Sequence, residues 1–469
     1  MPGEFLTETL LQNSPTPRSV TLGADGYLWV TTDNQKLMRV KPDSPTEQDS
    51  HQTAGTLSAG ILASPDGGKS LWYASPAHAQ DYDPIYEWDV DKCTEINKYP
   101  LADDARAQTI SWAVLTKKVS AQADSDGGEE GQLDPVLRAW TASPDGNGDL
   151  PEPIPYVFFA EPVHCQVGYV KVGESGPVNT HPLPRTADFD TWLWSVAVSV
   201  DRDTAKYTYW ATGQKSTTTH FERSKNGLYT FTPGSGKEWR RIQLRDSEDQ
   251  VPIHVITDSQ YVWVGTRSPN KLCRYDIDNE SWTESDTLDF EPRQLAFGPD
   301  GNIWVAAAGA IYCFKKDDKV SRVPSSYLPS GCGAEGLFVD AEKQQLWFTD
   351  PAKCSIGQYK ITVDTNAKLT EITKGVLTTA GKSSPVAVPM IAQYTISDQP
   401  TPGIPITCII EGGDTQFPGG GRSRVVHTNQ WGTALFPKFT TGSTPGDLTL
   451  IMEYTAAEKS VDKKFTVTG

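Results

Sequence analysis

The 469-residue chain holds 39 glycines, 34 prolines and 14 tryptophans and carries a formal net charge of −17. That acidity argues against nucleic acid or an anionic membrane as a partner. Neither an apolar run near the ~20 residues of a membrane span nor a basic-then-apolar leader is visible, so the chain is expected in the cytoplasm, or exported without a visible signal peptide. The absence of long helical periodicity points to an all-β fold, with room for one large domain and a smaller one.

In chain order, Glu4 to Leu11 alternates like an outer strand. Next comes Pro17 to Val40, PRSVTLGADGYLWVTTDNQKLMRV, which reads as strand, Gly-containing turn, strand. The same unit recurs at Gly60 to Ser75, at Val255 to Thr266, at Pro292 to Phe314 and at Gly336 to Asp350. Looser copies centre on Tyr156 to Glu161 and Lys206 to Gly213. One such unit cannot bury both faces, so about seven copies of roughly 40–60 residues predict a closed ring of small sheets. In such a ring the N-terminal strand completes the last sheet.

The third unit is the least regular: its inner strand is either Gln108 to Lys118 or Pro135 to Ser143, with an acidic loop between them. The second unit carries an insertion with His78, Asp81 and Asp83, and the fourth a polar one from Gln214 to Asn226. Asp124 to Gly127 and Asp145 to Asp149 alternate oxygen ligands as calcium loops do, but lack the glutamate at the twelfth position and read as acidic turns. The ring is expected to span residues 1–377. A small-residue linker over 378–389 leads to short strands at ITCII, VVHT, TALFPKF, DLTLIMEY and KKFTVTG, expected as an immunoglobulin-like β-sandwich over 390–469. The run TNQWGTALFPKFTTGSTPGDLTL resembles the distal half of bacterial immunoglobulin-like domains. Seven cysteines without CxxC spacing read as buried free thiols. Trp29, Trp72, Trp263, Trp304 and Trp347 recur at one position of the unit and read as packing residues.

Three stretches of equal length, Phe158 to Val170 (FFAEPVHCQVGYV), Trp263 to Tyr275 (WVGTRSPNKLCRY) and Trp347 to Tyr359 (WFTDPAKCSIGQY), align with one another. They resemble the W-F-T-E-x-x-x-N-x-I-G-R-I repeat of virginiamycin B lyase (streptogramin lyase), and Pro292 to Gly301 is similar to that family's P-x-x-I-x-x-G-P-D-G pattern. The resemblance implies a seven-bladed β-propeller over about residues 15–377. It also implies a lyase site in which Mg²⁺, a histidine in a P-H-G-I motif and a glutamate after W-F open a cyclic ester, a base and a metal-acidified proton being what elimination requires. Here Glu335 stands at the histidine position, Asp350 follows Trp347-Phe348, Arg293 holds the sixth first-strand position, and His254 is the nearest histidine.

Strand starts and the turns between second and third strands share one end of a propeller. That end is expected to gather Arg18, Trp194, His254, Arg293, Glu335, Glu161, His164 and Asp350, either as a ligand pocket with Arg293 and Glu335 paired or as hydrogen-bonded plugs of the axis. With the lyase set broken, the expected function is non-catalytic recognition of a protein or glycan ligand, without a cofactor. The alternatives are a metal-dependent lyase or lactonase-like enzyme using His254, Glu335 and Asp350 with Mg²⁺ or Ca²⁺, and a structural component of a larger assembly.

Overall fold

The computed structural model describes residues 3–53, 60–64, 68–74, 85–100, 109–116, 153–162, 165–173, 178–183, 192–200, 207–214, 225–233, 239–245, 249–258, 260–316, 328, 331–362, 367–372, 379–384, 386, 390–396, 398–417, 421–429, 431–436, 439–454 and 457–468. Among them every regular element is a strand, and the strands form nine sheets.

Seven sheets follow one another along the chain. Sheet 1 is Pro17–Leu22, Leu28–Thr32, Lys36–Lys41 and Ser44–Gln52; sheet 2 is Ile61–Ala63, Ser70–Ala74, Ile85–Asp89 and Thr94–Tyr99. Sheet 3 is Thr109–Thr116, Pro153–Glu161, Gln166–Lys171 and Asn179–Pro182, so the earlier of its two candidate inner strands is the one in the sheet. Sheet 4 is Trp192–Val200, Tyr207–Gln214, Gly227–Phe231 and Arg240–Ile242; sheet 5 is Val251–Thr257, Tyr261–Arg267, Lys271–Asp276 and Ser281–Glu284. Sheet 6 is Pro292–Phe297, Ile303–Ala307 and Ala310–Phe314. Sheet 7 joins Leu337–Asp340, Gln345–Asp350 and Ser355–Ile361 to the N-terminal strand Gly3–Leu10, which pairs antiparallel with Ser355–Ile361. The first strand of each sheet lies beside the first strand of the next, and that of sheet 7 beside that of sheet 1. The order is cyclic, closed by the N-terminal strand.

The repeated residues explain the geometry. Trp29, Trp72, Trp263, Trp304 and Trp347 are all at most 1% exposed. Each packs against the following sheet: Trp29 with Leu71 and Tyr73, Trp304 with Leu346 and Phe348, Trp347 with Val20 and Val30. Burying one indole removes roughly 200 Å² from water, on the order of 5 kcal/mol as an upper bound. In the G-x-D-G turns the aspartate has a defined task. Asp25 and Asp300 each accept from the indole Nε1 of Trp29 and Trp304 at 3.1 Å, and Gly26 and Gly301 supply the left-handed φ of 78° and 74°.

The remaining two sheets enclose one further core. One holds Ala367–Glu371, Ile391–Ile396, Gln399–Pro400 and Thr433–Leu435; the other holds Thr379–Gly381, Lys459–Thr468, Gly446–Tyr454, Pro405–Glu411 and Ser423–His427. Ala367–Glu371 pairs with Ile391–Ile396, so this unit starts ahead of residue 377, the expected end of the ring. Ile406, Cys408, Leu450 and Met452 face Ala392, Tyr394 and Ala434, and Ala341 of sheet 7 joins the same cluster.

Further contacts lock the two parts together. The Tyr454 hydroxyl donates to the Ala341 carbonyl at 2.6 Å, and Lys316 Nζ lies 3.0 Å from buried Asp258 while donating to the Pro400 carbonyl at 3.3 Å. Asp258, Gly301 and Ala341 all sit in turns between first and second strands. The C-terminal unit therefore packs on that end of sheets 5 to 7, opposite the strand-start end.

Candidate functional site

At the strand-start end, four first strands carry a β-bulge. The pairing register slips between Pro17 and Val20, Leu193 and Ser195, Pro252 and His254, and Pro292 and Gln294. A bulge re-aims the extra residue out of the ladder, and here it selects Arg18, Trp194, Ile253 and Arg293. In sheet 7 Glu335 takes the same place: its amide donates to the Thr349 carbonyl at 2.9 Å, and Thr349 N returns the bond to Gly336 at 3.0 Å.

After three of the bulges the next residue is a latch to the following sheet. Val255 N donates to Ser195 Oγ at 3.3 Å, Leu295 N to His254 Nδ1 at 3.4 Å, and Leu337 N to Gln294 Oε1 at 2.8 Å. His254 is one member of this series and not the counterpart of the bulged positions; Ile253 is. The residue is half-buried, and the surrounding protein strips the imidazole of solvent and pushes its pKa down to about 4. At neutral pH it is an uncharged acceptor committed to a backbone amide. Gly336 breaks the series because a Cβ there would lie 2.4 Å from the Arg18 carbonyl and 2.8 Å from Ser19 Cα.

Threonines of the second strands form the inner layer of the same lattice. Thr31, Thr212 and Thr349 Oγ1 accept from Ser19 N, Ser195 N and Gly336 N at 3.0, 3.0 and 2.7 Å. Thr212 and Thr349 then donate to the carbonyls of Ile253 and Arg18 in the neighbouring sheet, at 3.4 and 3.0 Å.

Above this lattice stand the charges. Arg18 Nη1 is 3.1 Å from Glu335 Oε1, across the seam between sheets 1 and 7, and both side chains are about one-third exposed at 37% and 30%. Arg293 does not pair with Glu335. It lies 3.2 Å from Glu291, which also faces Arg267 at 3.6 Å. Arg267 and Glu291 were not anticipated, although Arg267 sits where Asp350 is followed by a turn residue in the aligned repeats. Trp194 stacks obliquely on Trp192 with ring centroids 6.2 Å apart.

The two remaining carboxylates are buried. Asp350 caps the turn that follows it: Oδ1 accepts from Ala352 N at 3.0 Å and Oδ2 from Gly333 N at 2.9 Å. Glu161 ends its strand fully buried rather than on a solvated loop. His164, the His78, Asp81 and Asp83 insertion and the two calcium-like stretches lie outside the described residues.

Among the described residues, the side chains gathered here do not fit Mg²⁺, which takes oxygen ligands in octahedral geometry. Glu8, Cys332 and Asp350 place their ligand atoms within 4.8 Å of one another. Yet Lys353 Nζ already sits 2.9 Å from both Glu8 Oε2 and Cys332 Sγ, and a thiol is a soft ligand. Glu335 is engaged by Arg18, and Asp350 by amides.

No protein-family model matches the chain, and no curated protein matches it. Solved structures do. A catalytically inactive virginiamycin B lyase from Staphylococcus aureus, crystallised with quinupristin, superposes with TM-score 0.53 at 15% identity over 76% of this chain and 100% of that one. Hydrazine synthase of Kuenenia stuttgartiensis gives TM-score 0.52 at 11% identity over 78% of this chain and 99% of that one. The fold is that of a β-propeller. At such identities the likeness concerns the propeller alone, and its chemistry has to come from the side chains above.

Proposed function

We propose that the protein is a non-catalytic recognition protein: a seven-bladed propeller, made of sheets 1 to 7, binds a protein or glycan ligand at its strand-start face. The C-terminal unit, an immunoglobulin-like sandwich beginning between residues 361 and 367, acts as spacer or second contact. The cyclic order of the first strands supports seven blades, and the two-sheet core supports the sandwich.

One observation carries the functional reading. Two of the three candidate groups for elimination chemistry are committed to the scaffold, His254 to the Leu295 amide and Asp350 to its turn, and the third, Glu335, faces a cation at 3.1 Å rather than a metal site. What stays available is a rim of half-exposed ion pairs, Arg18–Glu335 and Arg267–Glu291–Arg293. Exposed pairs of this kind contribute roughly 0–1 kcal/mol each, so a ligand offering better-placed carboxylates, amides or hydroxyls opens them at small cost.

The test is binding of the intact chain to a glycan array and to partner proteins in pull-downs, beside an Arg18→Ala, Arg293→Ala double variant. Capture by the parent and loss in the variant support the reading. Turnover of a cyclic ester by the purified protein, abolished by Glu335→Gln, would replace it with the lyase reading.

A further inference from the structure

Sheet 7 holds a group of side chains that neither its folding nor the rim requires. Cys332 sits just ahead of the first strand and Lys353 in the turn after the second, with Sγ and Nζ 2.9 Å apart. Glu8, from the N-terminal closing strand, touches both: Oε2 lies 2.9 Å from Lys353 Nζ and 3.4 Å from Cys332 Sγ, and Oε1 accepts from Ser355 Oγ at 2.5 Å. Burial raises the Glu8 carboxyl, but bonds from Ser355, Lys353 and Cys332 outweigh it and hold the group below its usual value. A permanent carboxylate thus stands beside a thiol and an ammonium. Cys332 itself is 4% exposed, and Asp350 fixes its backbone by accepting from Gly333 N at 2.9 Å.

We propose that Cys332 and Lys353 are joined by a reversible covalent Sγ–O–Nζ bridge formed with dioxygen. The separation is too long for a direct S–N bond and leaves room for one bridging atom. The S–H bond and one N–H bond break while S–O and O–N bonds form. One oxygen atom of O₂ becomes the bridge and the other leaves as water. Sulfur and nitrogen each give up two electrons, and dioxygen takes all four. The ammonium releases its extra proton to the Glu8 carboxylate. Dithiol reduction reverses the bridge, as for other low oxidation states of cysteine. Closed, it ties the segment before sheet 7 to the turn beside the N-terminal strand, so the ring seam is strengthened in air and relaxed in a reducing compartment.

The experiment compares the full chain held in aerated buffer with the same protein kept anaerobic with dithiothreitol. Bridging adds one oxygen and removes two hydrogens, so the aerated protein should be about 14 Da heavier. Trypsin should no longer cut after Lys353, leaving the peptides that contain Cys332 and Lys353 joined. Dithiothreitol should restore both, and the thiol titre of the unfolded protein should rise by one. Lys353→Arg keeps the contact with Glu8 and should show none of these changes, as should Cys332→Ser. Separate Cys332 and Lys353 peptides in the aerated sample, a mass gain of one oxygen alone on Cys332, or a gain that survives in Lys353→Arg would each overturn the proposal.

Discussion

Replacing Thr349 by valine isolates the lattice that holds the ring closed. Thr349 is fully buried; its hydroxyl accepts from Gly336 N at 2.7 Å and donates to the Arg18 carbonyl across the seam at 3.0 Å. Valine keeps the shape and suits a strand, so no cavity opens, but one buried amide and one part-buried carbonyl lose their partner. Each unsatisfied group costs about 1–3 kcal/mol, giving a destabilisation of about 2–6 kcal/mol for the two. Thr349→Ser retains both bonds and removes one methyl, for about 1 kcal/mol. The assay is urea unfolding followed by tryptophan fluorescence, with unchanged slope and a lowered midpoint in valine. Valine as stable as the parent, or serine as unstable as valine, would refute the claim that the hydroxyl holds the seam.

The other predictions follow from single contacts. His254 has a folded pKa of about 4 against an ordinary 6.5. The unfolded chain therefore binds the extra proton in that window, and stability is full above pH 6.5 and declines as pH falls toward 4. His254→Asn, which still offers an acceptor to Leu295 N, should flatten this slope in unfolding measured across pH; an unchanged slope would assign it to other groups. Lys316→Met should cost about 3–5 kcal/mol in urea unfolding, because it leaves the Asp258 carboxylate buried without its cation; a loss below 1 kcal/mol would mean that water reaches Asp258. Tyr454→Phe should cost about 1–2 kcal/mol and speed hydrogen exchange in the turn at Ala341, whose carbonyl it leaves without that bond. Equal exchange would show that the C-terminal unit is not anchored there.

The ring was legible because its signals are local and repeated. The strand–turn–strand unit stands in the sequence several times with its tryptophan at one position, Trp29, Trp72, Trp263, Trp304 and Trp347, and each repeat reports the same packing. The seam was legible in part: the alternation of Glu4 to Leu11 announces an outer strand, and a closed ring assigns such an N-terminal strand to the last sheet. The candidate site was harder to read because its partners are decided by bulges and by ring closure. Aligning Arg18, Arg293 and Glu335 places all three on one end, but a contact between sheets 1 and 7 brings Arg18 to Glu335 over 317 positions of chain, while Glu291, two residues away, holds Arg293. His254 misleads for a related reason: a one-residue offset at the bulge turns a candidate base into an acceptor for the next sheet. Asp350 and Glu161 look like loop carboxylates in sequence because turn-capping and burial are decided by the strands around them. Glu8, Cys332 and Lys353 share no motif at all and meet only when the closing strand docks.

The central claim is that the side chains at the strand-start face serve scaffold and recognition rather than metal-assisted chemistry. Elemental analysis of protein purified without chelator tests it most directly, with a Glu335→Gln, Asp350→Asn double variant alongside. The account predicts divalent metal well below one equivalent in both proteins. One equivalent of Mg²⁺ or Ca²⁺ in the parent, lost in the double variant, would contradict it and restore the lyase reading.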